Sequence, residues 1–89
     1  MTTARVERRL AAILAADVVG YSRLMERDEA GTVARLKAIR KELVEPVLDR
    51  HGGRFVDLKG DGAIVEFGSV IEAVEAAVAI QRAMLEQDA

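Results

Sequence analysis

The chain has 89 residues, a formal net charge of −2, 51% apolar and only 3% aromatic residues, and no cysteine. Those figures exclude a disulfide framework and thiolate metal sites. They also argue against a general nucleic-acid binder, because a phosphate backbone demands clustered cations and only Arg5, Arg8 and Arg9 come close to a cluster.

A chain this short makes at most one small domain and buries ~60–65% of the surface its unfolded form exposes. Alanine and valine do much of the filling, so the side-chain layers are thin, and a partner subunit is a natural way to bury more. The apolar stretch from Leu10 to Ala16 is too short and too interrupted for an export signal, and no run approaches the ~20 apolar residues of a membrane span. A soluble protein in a reducing cytoplasm is the expectation.

Residues 8–19 form the first apolar run. Its alanines favour helix, whereas Ile13-Leu14 and Val18-Val19 ahead of Gly20 fit a buried strand, and periodicity does not decide between them. From about Asp28 to Arg50, Val33, Leu36, Ile39, Leu43 and Val47 recur at helical spacing, with Arg35, Lys37, Arg40 and Lys41 on the other sides. Asp28 suits the start of that helix, Gly52-Gly53 its end, and Pro46 should kink or divide it, since it lacks a donor and crowds the preceding turn. His51 is expected to interact with the end carbonyls of the same helix.

Arg54 to Lys59 and Ala63 to Phe67 are β-forming runs on either side of Gly60-Asp61-Gly62, the pattern of a hairpin. Strict alternation puts Val56 and Leu58 on one face and Phe55, Asp57 and Lys59 on the other. Ser69-Val70-Ile71-Glu72 has capping-box spacing and opens a last helix, whose core stripe reads Ala73, Val74, Ala77, Ile80, Met84 and Leu85. With the first run taken as a strand, the order is strand, helix, strand, strand, helix. It predicts an α+β sandwich with helices on one face of an antiparallel sheet, the first and third strands adjacent, and the other face uncovered.

Two aspartates stand out: Asp17 in Ala16-Asp17-Val18-Val19-Gly20 and Asp61 in Gly60-Asp61-Gly62, each following an apolar run into a glycine-bearing turn. A lone carboxylate beside a core is costly unless it is paired or bound to metal. If the first strand lies beside the hairpin, both acids converge on one edge of the sheet. Two carboxylates and a backbone carbonyl make a hard-oxygen site suited to Mg²⁺, which is commonly held by one or two carboxylates plus substrate phosphates. With two ions ~3.5–4 Å apart, one activates an attacking hydroxyl and the other neutralises a leaving group. The turn from Val18 to Ser22 would present backbone amides to phosphate oxygens.

The segment from Arg8 to Met25, the His51-Gly52-Gly53-Arg54 turn, and Gly60-Asp61-Gly62 with Val65-Glu66-Phe67 together resemble the N-terminal half of the catalytic domain of bacterial class III adenylate/guanylate (nucleotidyl) cyclases. The likeness runs over nearly the whole chain. It implies a ferredoxin-like βααββα sandwich, truncated relative to the family domain, with residues 1–89 forming one partial cyclase domain. It implies that Asp17 and Asp61 bind two Mg²⁺ or Mn²⁺ ions with the Val18 carbonyl, and that Val19, Gly20, Tyr21, Ser22 and Gly60 meet the nucleotide. The implied reaction converts ATP or GTP to a 3′,5′-cyclic monophosphate and pyrophosphate, in sites formed within a head-to-tail dimer or by pairing with a full-length cyclase.

Two departures from the family pattern stand beside it. The family domain is about twice this length, and its later half brings a second base-selecting residue together with an asparagine and an arginine that stabilise the transition state, so the 89 residues alone are expected to be inactive. Adenylate-type members carry a lysine where this chain has Asp57, four residues before Asp61, and guanylate-type members carry an acid there. Asp57 therefore leans toward guanine, with Lys59 on the same strand as the alternative base-selecting group. The competing readings are a non-catalytic association module that pairs with a full-length relative, and a dinucleotide cyclase. Leu58-Lys59-Gly60-Asp61-Gly62 does not match the hairpin expected of the latter.

Overall fold

Alanine-rich though it is, the first run is extended, because its backbone is taken up by a neighbouring strand. The computed structural model describes residues 11–88, so the basic residues Arg5, Arg8 and Arg9 and the beginning of the first apolar run lie outside the described residues. In chain order the elements are β1 (Ala12–Asp17), α1 (Tyr21–Arg27), α2 (Glu29–Ile39), a π-helical turn (Arg40–Val44), α3 (Glu45–His51), β2 (Arg54–Leu58), β3 (Gly62–Phe67) and α4 (Val70–Asp88). The three strands form one antiparallel sheet in the order β1-β3-β2, which makes the first and third strands neighbours as expected.

The register of β1 against β3 runs without interruption from Ala12 opposite Phe67 to Asp17 opposite Gly62. Alternation then sorts the side chains. Ala12 and Leu14 share a face with Val65 and Phe67 and pack into the core, whereas Ile13, Ala15 and Asp17 share the opposite face with Ile64 and Glu66. Val47 and Leu48 of α3 and Ala73 and Ala76 of α4 complete the buried cluster, with Phe55 and Ile80 packed at its margin. Among the described residues no helix lies on the second face of the sheet. Ile13 there is 58% exposed, and Arg54 Nη2 donates to Glu66 Oε1 at 3.0 Å across it.

Strict alternation fails in β2. Phe55 pairs with Val65 and Asp57 with Ile64, so one residue, Val56, is extra on that strand and forms a bulge. Phe55 thus faces the helices, while Asp57 faces the open side. The expectation that both lie on one face, opposite Val56 and Leu58, is corrected by that single inserted residue. Leu58 pairs with Ala63 and falls on the helix side.

The helices follow their signals with two corrections. Asp28 caps α2 by accepting from the Gly31 amide at 3.0 Å, and Gly52 ends α3 at φ 70°. Pro46 divides the long helix as anticipated: the five residues Arg40–Val44, just ahead of Glu45, form a widened π turn, in which the Glu45 amide reaches the Arg40 carbonyl. A separate helix, α1, follows Gly20, and buried Thr32 ties α2 to it by donating from Oγ1 to the Leu24 carbonyl at 3.0 Å. The first correction concerns α4, whose buried residues are Ala73 and Ala76, while Val74 and Leu85 are 55% and 71% exposed. Alanine lets that helix lie close to the sheet, so the seam follows the small residues and leaves the larger ones outside.

The second correction concerns His51. It is the last residue of α3, but Nδ1 lies 3.0 Å from Glu72 Oε2 and 3.8 Å from Glu75 Oε2 on α4, so it bridges helices instead of engaging its own end carbonyls. The capping box of α4 is accordingly half formed. Ser69 Oγ accepts from the Glu72 amide at 3.1 Å, and the Glu72 carboxylate turns to His51.

A methyl group at Gly53 would lie 2.6 Å from Phe67 Cε2 and 3.1 Å from Leu48 Cδ2. Gly53→Ala is therefore expected to overpack the core and cost about 1–3 kcal/mol, read as a lowered midpoint in chemical denaturation without a change in slope. Ser69→Ala should cost about 1 kcal/mol through the lost cap, measured the same way.

Candidate functional site

The β1–β3 pairing ends where the two aspartates stand. Asp17, the last residue of β1, is opposite Gly62, the first of β3, and Asp61 is the residue just before Gly62. One residue beyond Asp17, the Val18 amide donates to the Asp61 carbonyl at 2.8 Å, extending the ladder past the strand end. Lys59 and Gly62 close the hairpin between them, with the Lys59 amide 2.9 Å from the Gly62 carbonyl, so Gly60 and Asp61 form its tip. Residues 44 positions apart in sequence are thereby brought to one edge of the sheet.

An open cleft of about 400 Å³ lies at that edge, lined by Ala15, Asp17, Asp57, Lys59, Asp61 and Ile64 among others. Both predicted metal-site aspartates and both predicted base-selecting residues border it. Asp17, Asp57, Lys59 and Asp61 are all exposed. Among the described residues no ion pair joins Asp57 to Lys59. Three acids and one lysine around an open concavity give a hard-oxygen donor set with a net negative charge, the chemistry that suits a divalent cation of the Mg²⁺ type.

The predicted phosphate-binding turn is shorter than expected. Val18, Val19 and Gly20 are irregular, Gly20 taking φ 73° to redirect the chain, and Tyr21 and Ser22 already belong to the first turn of α1. Gly20 can adopt that left-handed conformation without strain because it has no Cβ. Val19 is 93% exposed. Amides in a first helical turn have no acceptor within the helix, so those of Tyr21 and Ser22 remain available. Tyr21 is half-buried, and its hydroxyl lies against Gly60 at the hairpin tip. Sequence reasoning placed Tyr21 and Gly60 in the same site but did not pair them, since nothing in their spacing marks the contact.

Among the described residues, one group of three metal-ligating side chains lies within mutual reach: His51, Glu72 and Glu75, with ligand atoms no more than 4.8 Å apart. It lies at the other end of the sheet, where β2 begins and β3 runs out into α4. The imidazole sits at the carbonyl end of α3 and the acids in the first turns of α4, the arrangement each helix dipole favours for an interhelical bridge.

An antiparallel β1-β3-β2 sheet with helices on one face and two acids at the β1–β3 edge is an α+β arrangement that matches a cyclase domain of known structure. The chain superposes on a solved structure described as an adenylate/guanylate cyclase/hydrolase from Silicibacter pomeroyi with a TM-score of 0.68 and 39% identity, covering 86% of this chain and 43% of that one. It is 57% identical over 84 residues to the Rhizobium meliloti (strain 1021) protein named "Putative adenylate cyclase 3", an alignment that takes in 94% of this chain and 14% of the relative. No protein-family model matches it. The chain belongs to the adenylate/guanylate cyclase family, and it spans less than half the length of either relative. No helix among the described residues is long and apolar enough to cross a membrane.

Proposed function

We propose that this chain carries the metal- and triphosphate-binding half of a nucleotidyl cyclase that converts a nucleoside triphosphate to its 3′,5′-cyclic monophosphate and pyrophosphate. The observation that carries the reading is the pairing of Asp17 with Gly62, together with the 2.8 Å bond from the Val18 amide to the Asp61 carbonyl, which fixes the two acids at one edge of the open cleft. In this reading Asp17 and Asp61 supply carboxylate oxygens, and Val18 a carbonyl, to paired Mg²⁺ or Mn²⁺. When bound, such ions neutralise triphosphate charge and favour attack by the ribose 3′-hydroxyl. Val19, Gly20 and the first turn of α1 at Tyr21 and Ser22 lie beside Asp17 and offer backbone amides to the phosphates, with Gly60 at the facing tip.

Asp57 takes the base-selecting role. The Val56 bulge turns its carboxylate to the cleft side, where it can only accept hydrogen bonds, and guanine offers N–H donors where adenine offers an acceptor. Lys59, also on the cleft, is the candidate donor if adenine is bound. The uncovered sheet face bearing Ile13, Ala15 and Ile64 is the surface for a head-to-tail partner, either a second copy or a full-length cyclase. An association module without catalysis shares that surface and differs in having no metal-dependent nucleotide binding.

Titration with Mn²⁺ and a non-cyclisable triphosphate analogue tests the site. Wild-type chain is expected to bind in a metal-dependent manner, and Asp17→Asn and Asp61→Asn should each abolish binding. Equal binding by all three proteins would refute the assignment. The 89 residues alone should release no measurable cyclic nucleotide, because loss of even one transition-state donor commonly costs ~10²–10³-fold. Asp57→Lys is expected to move the binding preference from the guanine toward the adenine analogue, and an unchanged ratio of affinities would remove Asp57 from base selection.

A further inference from the structure

The hairpin tip has few supports. Lys59, Gly60 and Asp61 are all exposed, and beyond the closing pair of Lys59 and Gly62 the tip is held, among the described residues, from one side, by the segment that follows β1. Two contacts come from that segment. One is the Val18 amide on the Asp61 carbonyl. The other is Tyr21, whose phenol occupies the space where a side chain at Gly60 would emerge: a methyl group there would lie 2.7 Å from the hydroxyl oxygen and 3.5 Å from Cζ.

We propose that the Tyr21 side chain is a positioning group that seats the hairpin tip and so fixes Asp61 relative to Asp17, the ring acting through Gly60 while the nucleotide meets only the Tyr21 backbone amide. This deepens the reading of the cleft as a metal and triphosphate site and rests on it for its functional consequence. The physical logic is that a two-residue tip carrying a carboxylate and bordered by solvent would fluctuate on its single hydrogen bond. A half-buried ring pressed on glycine removes that freedom at a point adjacent to the acid. Glycine is favoured because the phenol hydroxyl, seated as it is, leaves no room for a methyl group. Asp17, Val18 and Tyr21 lie within five residues of one another, so one short segment carries the first acid and both restraints on the second.

Hydrogen exchange at the Val18 amide, measured on the metal-free chain, reads the seating directly, because that amide is protected by its bond to Asp61. Gly60→Ala should speed its exchange about tenfold by forcing the ring away. Tyr21→Phe should keep most of the protection. In the Gly60→Ala/Tyr21→Phe double variant the protection should return, since the oxygen at 2.7 Å is gone and Cζ at 3.5 Å is an ordinary contact. Mn²⁺-dependent binding of the triphosphate analogue should weaken and recover in the same order.

If Gly60→Ala leaves Val18 exchange at the wild-type rate, or Tyr21→Phe fails to rescue it, the proposal is overturned. If exchange follows the expected order while wild-type chain binds no metal and nucleotide, the seating stands and the reading of the cleft falls. Tyr21→Ala, where it folds, should match Gly60→Ala in exchange, and wild-type protection in that variant would also overturn the proposal.

Discussion

The antiparallel pairing of β1 with β3 is the constraint on which the rest of this structure depends. It is built from main-chain hydrogen bonds and runs unbroken over six residue pairs. Its first consequence is mechanical: a strand near the N-terminus is locked against one that begins 45 residues past its end, and everything between must fold back across one side of the sheet. Its second is chemical. Because the register terminates at Asp17 and Gly62, two acidic residues that are remote in sequence end up at adjoining positions, and the Val18 amide carries the ladder one step further to the carbonyl of the second acid. The same ladder that stabilises the core therefore sets the geometry of the cleft.

The core it supports is thin. Phe67 is its largest fully buried side chain, and α4 meets the sheet through alanines. Close approach of helix to sheet makes up for the lack of bulk, since dispersion grows steeply as surfaces come together. Small contact residues leave little slack, which is why Gly53 must remain without a side chain beneath Phe67 and Leu48. On the far face the sheet exposes Ile13 and Ala15 beside half-buried Ile64, and Ala15 and Ile64 also line the acidic cleft, so whatever covers this strip also shapes the cleft.

Much of this was legible in the sequence, and the misses have physical causes. The Asp28 cap, the Gly52 stop, the break at Pro46 and the two hairpin strands all follow from local signals, because each is decided by neighbours within four residues. The convergence of Asp17 and Asp61 could be argued from topology. The facing of Asp57 could not be read from alternation, because a bulge at Val56 leaves no compositional mark and parity is a global count. The burial of α4 was misjudged at Val74 and Leu85 because hydrophobicity was weighed without size, and the closest-packed seam selects small residues. His51 was placed correctly at its helix end, but its partners lie 21 and 24 residues downstream, where no spacing rule reaches.

The bulge has one further implication, for how this strand tolerates change in length. Phe55 and Asp57 each face their proper side with Val56 unpaired between them, so removing Val56 would leave both partners, Val65 and Ile64, opposite the same residues as before. Losing Phe55 or Asp57 instead would let Val56 take the vacated pairing position, so the register would survive but the core ring or the cleft carboxylate would be lost. The strand thus carries one residue that could be lost without displacing either of its neighbours, and it lies next to the acid that borders the cleft.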